Sequence, residues 1–416
     1  MTATLQQSTD STPIKDRSGF LPLPVLIGFI FAFRVCLTVL WFQDEPQNAS
    51  VLSAALSLTL FIAAALSTIG STPSIPKSCF RTPTLRCLAA FLCLALVSLL
   101  WTTAPLSAAA GYWCAWAADV ATIWFIFRDN PPEVSAAFLM KGFVCGSCLV
   151  AIVAWSLPAT QDLRLGDEDF LHPNALGFLF SIATLLAAHL ARKSLLWAWP
   201  ALFLGATLVR TISKSAIIAF VAAFGFALIR DSTLARKTKI WISIAAGVII
   251  ASLWGLLEAY LVTYSEGVGP ETLTGRTLIW SVSLEYALKK PILGNGYYSY
   301  RFVVPPFGIF EAQQAHDELL QQFFSFGAVG VILTITLYWL FFRQIRRTQP
   351  SHLKTLAATL LLFALIRGLT DTQTFDLSFP LWLMAMLSIL LAAQTSKPLS
   401  TTTPAAASTS TRARSE

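Results

Sequence analysis

Charge is scarce in this chain. Only 12% of its 416 residues are Asp, Glu, Lys or Arg, about half the share of a soluble domain of this length. That shortage excludes an ordinary water-soluble globule. Cysteine is present but unordered: seven residues, an odd number, with no zinc-ligand spacing and no disulfide framework. Cys145 and Cys148 lie one helical turn apart in an apolar run and read as small core residues. No P-loop and no GxGxxG occurs, so a cytoplasmic nucleotide site is not expected. No internal repeat is visible. The first apolar run follows Lys15 and Arg17 and is too long for the core of a cleavable signal peptide.

Hydrophobic residues, by contrast, make up 55% of the chain, and mean hydropathy is +0.65. They cluster in runs of about 20 residues, the length a helix needs to cross a bilayer core at a rise of about 1.5 Å per residue. Spans are expected near 20–41, 51–69, 85–101, 107–127, 135–157, 173–191, 195–210, 212–229, 240–262, 319–342, 354–369 and 377–394. The fold class is therefore an all-α integral membrane protein with about twelve transmembrane helices. Residues 1–18 and 395–416, rich in Ser, Thr, Pro and Ala, read as disordered cytoplasmic tails around a polytopic domain at 19–394.

The formal net charge of +7 reflects topology rather than nucleic-acid binding. With the N-terminus inside, most Lys and Arg fall on the cytoplasmic side, as the positive-inside rule requires. The basic residues left outside are Arg164, Arg210, Lys214, Arg276, Lys289, Lys290, Arg301 and Arg367. The longest outward segment, 263–318, predicts an amphipathic helix at 276–290 that buries Leu278, Ile279, Val282 and Leu288, followed by a turn at PILGNG. A loop of that length is an expected functional element.

Further polar groups share the outward mouth: His172, Asn174, His316, Asp317, Glu318 and Asp371. Their chemistry suits transfer from an anionic, lipid-linked substrate. Arginine is always charged and grips phosphate oxygens bidentately. Histidine accepts a proton near neutral pH. No Asp-x-Asp pair lies outside, so no metal and no other cofactor is expected. Each group also has a structural reading. Arg276 can cap a helix, Lys289 and Lys290 can face a helix dipole or headgroups, and Arg210 and Lys214 can snorkel to lipid phosphates. His172 and His316 can act as helix starts, and Arg367 can pair with Asp371. Arg34 and Asp119, both near mid-depth, are expected to pair with each other.

The order and spacing of motifs across about 160–376 resembles the O-antigen ligase and Wzy-type polymerase superfamily of membrane glycosyltransferases. Arg164 followed by HPNALG (172–177) is similar to its Arg, Gly, Pro-Asn stretch, and ISKSAII (212–218) to its Ser-Arg-x-Ala segment. GRTLIW (275–280), KPILGNGYYSY (290–300) and AHDELLQQFFSFGAVG (315–330) resemble three further elements in the same order. The resemblance implies a multi-pass protein of the bacterial inner membrane working on the periplasmic face. Its donor would be an undecaprenyl-diphosphate-linked glycan, and its acceptor lipid A-core (ligase) or a second lipid-linked glycan (polymerase). Membrane lipids, not nucleic acid, would surround it. Two motifs, HPNALG and PILGNGYYSY, lean slightly toward exopolysaccharide polymerases.

By the same resemblance, Arg276 would bind the diphosphate and His316 would be the catalytic base or acceptor-positioning group. Arg164, His172, Asn174, Arg210, Lys214, Arg301 and Asp317 would contact diphosphate or glycan. The reaction would be a metal-independent displacement with inversion. Two departures stand out. Lys214 replaces the family's Arg and loses its planar fork, with Arg210 available in its place. Asp317 replaces the usual Asn after the histidine and is positioned in sequence to orient it. A secondary transporter or a lipid-linked glycan flippase is the alternative reading of so many spans, but the absence of halves that repeat argues against a transporter.

Overall fold

A computed structural model describes residues 22–42, 46–70, 76–129, 131–157, 164–166, 171–231, 235–252, 273–307, 312–373 and 376–396. The expected tail at 1–18, residues 397–416 of the C-terminal tail, and 263–272 and 308–311 of the outward segment lie outside the described residues.

The described residues form helices and connecting turns, with no β-strand element among them. The helices are α1 Leu23–Phe42, α2 Pro46–Ser67, α3 Pro83–Ser98, α4 Leu106–Asp129, α5 Pro132–Ser156, α6 Pro173–Ala191 and α7 Ala198–Arg210. After them come α8 Lys214–Arg230, α9 Arg236–Ser252, α10 Leu273–Leu288, the short α11 Tyr300–Val303, α12 Glu318–Arg347, α13 His352–Gly368 and α14 Leu381–Ser396. Each expected span overlaps one of these helices, and residues 253–262 of the one expected at 240–262 lie outside the described residues. Four stretches are long and apolar enough to cross a membrane: Leu106–Arg128, Pro132–Ser156, Pro173–Ala191 and Glu318–Arg347.

Local sequence accounts for the helix starts. Proline opens α3, α5 and α6, where its fixed φ suits the first turn and its missing N–H goes unnoticed. Thr82 caps α3 by accepting from Leu85 N at 3.2 Å, and Ser351 caps α13 by accepting from Lys354 N at 3.1 Å. One charge pair ties three helices together inside the bundle. Arg34 on α1 donates to Asp119 on α4 at 2.7 Å and to Ser57 on α2 at 2.9 Å. Because Asp119 is only 4% exposed, Arg34→Met is expected to strand its carboxylate. A loss of about 3–5 kcal/mol follows for a buried pair broken on one side. Thermal unfolding of the purified protein in detergent reads it.

The segment expected outside is built onto the bundle at a break in α12. Gly327 sits at φ 63°, ψ −157° inside that helix, a conformation that side chains other than glycine rarely adopt. The break frees backbone groups, and the PILGNG turn supplies their partners. Asn295 N donates to Phe324 O at 2.9 Å, Gly296 N to Ser325 O at 2.8 Å, and Ala328 N to Pro291 O at 2.8 Å. Irregular backbone within a membrane protein persists only where such partners exist. The docking is backbone on backbone: a Cβ on Gly327 would lie 2.3 Å from the Ile292 carbonyl carbon, and one on Gly294 2.5 Å from Phe326 N.

The helix expected at 276–290 is α10, but its buried face differs from the expected one. Ile279, Ser283 and Ala287 are buried, with Val282 packed against them, whereas Leu278 and Leu288 are 54% and 58% exposed. The inward stripe follows the i, i+4 row set by contact with Tyr300 and Phe324. Leu278 and Leu288 fall off that row.

Candidate active site

Two clusters gather most of the polar residues expected on the outer side. The first is centred on Asp371, which follows α13 and is fully buried. Its Oδ2 accepts from Arg367 Nη2 at 2.9 Å. Its Oδ1 lies 3.2 Å from His316 Nδ1 and accepts from Gln314 Nε2 at 3.2 Å and from Thr372 N at 3.0 Å. Arg276 closes the group by donating from Nη1 to Thr370 O at 2.7 Å. Burial alone would raise the Asp371 carboxyl, but the Arg367 charge, followed by His316 and Arg276, holds it well below the usual carboxylate range. Asp371 is therefore an anion throughout the neutral range, with the Arg367 and Arg276 charges and the His316 ring around it.

His316 is held at φ 52°, a left-handed backbone that costs a non-glycine residue of the order of 1 kcal/mol. The strain turns its ring toward Asp371 immediately before α12 begins. Ala315 N donates to Gln321 Oε1 at 2.8 Å and fixes the loop from the helix side. Asp317 does not perform the orienting role that its position suggests. It is the N-cap of α12, accepting from Leu320 N at 2.8 Å, and burial pushes its carboxyl up. The carboxylate that meets His316 comes instead from Asp371, a long way along the chain.

Arg367 is 1% exposed, with its guanidinium 4.4 Å from the ring centroid of Phe178 on α6. Gln373, with its amide turned to match, accepts from both terminal nitrogens at 3.1 Å. The expected Arg367–Asp371 pair is thus one edge of a larger network. Glu318, expected at the same mouth, is a buried member of the surroundings. It accepts from Tyr338 Oη and from Ser378 N at 3.1 Å, tying the start of α12 to the segment before α14. Arg301 lies in the neighbouring turn, donating to Gln313 Oε1 at 2.8 Å, with its guanidinium 5.4 Å from the Tyr298 ring centroid.

The second cluster joins the start of α6 to the α7–α8 turn. Arg164, 2% exposed, donates to Asn174 Oδ1 at 2.7 Å and to Thr211 O at 3.3 Å. Ser213 Oγ donates to the same Asn174 oxygen at 3.0 Å. His172 is the N-cap of α6, its Nδ1 accepting from Asn174 N at 3.3 Å. Arg164 and Asn174 therefore hold one another and the turn in shape. Arg210 ends α7 with its guanidinium 5.9 Å from the Trp155 ring centroid, and Lys214 opens α8, both half-buried. Phe178 of α6, under Arg367, brings the helix that carries Asn174 against the first cluster.

Residues 199–335 match the family model described as O-antigen ligase. An O-antigen ligase of Pseudomonas aeruginosa is 28% identical over 172 residues, 41% of this chain and 40% of the relative. These matches support the O-antigen ligase/Wzy superfamily. The segment matching the O-antigen ligase family contains Arg210, Lys214, Arg276, Arg301, His316 and Asp317. Arg367 and Asp371, which hold His316, lie beyond it, as do Arg164, His172 and Asn174. Less than half the length of that ligase is covered, so its activity does not transfer to this chain by identity alone.

Proposed function

We propose that this chain is a polytopic inner-membrane glycosyltransferase of about twelve spans, acting at the periplasmic face in cell-surface polysaccharide synthesis. Its donor is a glycan on undecaprenyl diphosphate. The observation that carries the reading is the His316–Asp371 contact, with Arg276 anchored one residue away on Thr370, in a chain whose 199–335 segment matches the O-antigen ligase family.

The proposed chemistry is supported by that geometry. With a proton on Nδ1 directed at Asp371, His316 keeps Nε2 as the basic nitrogen. The acceptor hydroxyl gives its proton to Nε2 while its oxygen attacks the anomeric carbon. The bond from that carbon to the diphosphate oxygen breaks, and the lipid diphosphate leaves with the electron pair. Arg276 retains donors beyond the one spent on Thr370, and these meet the charge that develops on the leaving group. A single displacement of this kind inverts the anomeric centre. Arg210 and Lys214 supply further positive charge for the diphosphate. Arg164, Asn174 and His172 maintain the turn that presents those two residues. The protein needs no metal in this scheme, so transfer is expected to persist in excess EDTA.

Two acceptors fit the superfamily, and the glycan profile of a deletion strain separates them. A ligase role predicts intact long chains that are no longer attached to lipid A-core. A polymerase role predicts single repeat units. An unchanged profile contradicts both.

A further inference from the structure

A cavity of about 310 Å³ opens at the end of α12 opposite His316. Ligand sites typically occupy about 300–1,000 Å³. The walls come from the first turn of α3 and the last turns of α12 and α14. Gln344, a wall residue, ties these three helices together. Its Oε1 accepts from Thr84 Oγ1 and from Ser388 Oγ, both at 2.8 Å. Its Nε2 donates to Ser388 O at 2.8 Å. The cavity therefore lies between walls that are fixed to one another.

Its charge is of one sign. Arg343 and Arg347, one helical turn apart, both line it, and no carboxylate stands among the lining residues. Basic residues at a helix C-terminus commonly serve the helix dipole. Here Lys354 does so, its Nζ donating to Thr348 O at 2.6 Å and to Arg346 O at 3.2 Å. No ion pair among the described residues engages either arginine. Two features favour a lipid over a small soluble anion. Leu340 and Leu391 line the same cavity, and they would gain nothing from a free phosphate. Trp339 and Phe342, on the same turns of α12, are 59% and 38% exposed, and an outward Trp beside cations marks headgroup depth. A zwitterionic lipid would bring an ammonium to the arginines with no carboxylate to receive it. A glycerol headgroup instead offers hydroxyls to the threonines of the wall.

We propose that this cavity binds the headgroup of an anionic phospholipid, with the phosphodiester between Arg343 and Arg347 and the start of the acyl chains on Leu340 and Leu391. In the orientation expected from the basic residues, the lipid belongs to the cytoplasmic leaflet, where basic pockets between helices take anionic headgroups. The site is separate from the His316 network and does not depend on the transferase reading.

The test uses the full chain in detergent, with phosphatidylglycerol, phosphatidylethanolamine and inorganic phosphate as probes and lipid adducts read by native mass spectrometry. The wild type is expected to retain phosphatidylglycerol and to bind the other two at least tenfold more weakly. Arg343→Gln and Arg347→Gln are each expected to lower phosphatidylglycerol affinity about fivefold, and together about 20–30-fold, at the usual worth of one basic residue beside an anionic lipid. Both side chains are exposed, so the variants should fold. Ala392→Phe, which fills the cavity and leaves both arginines, is expected to abolish the adduct and carries the test should the double variant not fold. Arg346→Gln is the control, a cation at the same end of α12 that does not line the cavity, and it should change affinity less than twofold. Equal losses at Arg343, Arg346 and Arg347 would reduce the effect to surface charge and overturn the site. Equal retention of both lipids would overturn it as well. Inorganic phosphate that binds as tightly as phosphatidylglycerol would make this a free-anion site and overturn the lipid assignment. No turnover is measured, so none of these outcomes bears on glycan transfer.

Discussion

His316→Ala is expected to lower kcat for glycan transfer by about 10²–10⁴-fold, the usual contribution of a positioned general base. The KM for the lipid-linked donor should change little, because diphosphate binding falls to Arg276, Arg210 and Lys214. The fold should survive. The His316 side chain is 17% exposed, and the helix that follows is capped by Asp317 rather than by the histidine. Removing the side chain also does nothing to Arg367, which keeps its own bond to Asp371 at 2.9 Å. The measurement is product formation by the purified variant beside its melting temperature. A variant that melts like the wild type and transfers at the full rate excludes His316 as the base. It would also favour a transporter or flippase role, in which no side chain need accept a substrate proton.

Asp371→Asn is expected to be more damaging to the protein as a whole. Arg367 would keep its charge at a site 1% exposed and lose its anionic partner, a change that costs about 3–5 kcal/mol when one half of a buried pair is removed. His316 would lose the group that turns its ring, so transfer should fall as well. The pH dependence has a definite sign. The folded-state carboxyl is held below its unfolded value, which is about 3.9. Its stabilising contribution is therefore fully present above about pH 4–5 and is lost only as pH falls toward the depressed folded value. Wild type and variant should differ by a constant amount between pH 5 and 8, and the gap should close in acid. Melting curves across that range read it. A gap that widens as pH falls would contradict an ionised Asp371.

The helices were legible in the sequence because their signals are local. HPNALG carries its own cap and its proline at the first helical position, and α6 begins there. Arg34 and Asp119 were recognisable as partners because few other charges lie in apolar runs. The candidate site was only half legible. His316, Arg276 and the PILGNG turn stand out by type and spacing, whereas the partner of His316 does not. Asp317 is adjacent in sequence, but the α12 N-terminus uses its carboxylate, and Asp371 reaches the ring only after two helices have folded back. The break at Gly327 lies in an otherwise helical apolar run, and only the docked turn shows why it exists. The inward face of α10 likewise depends on Tyr300 and Phe324, which periodicity within 276–290 cannot reveal.

The most direct test is reconstitution. The purified chain is placed in proteoliposomes with an undecaprenyl-diphosphate-linked glycan and the candidate acceptors, in the presence of EDTA. Released undecaprenyl diphosphate and elongated or lipid A-core-attached glycan are then quantified. The predicted result is one equivalent of lipid diphosphate released per glycan joined, with the anomeric centre inverted and no metal added. Movement of the labelled lipid-linked glycan across the bilayer with no new glycosidic bond would contradict it.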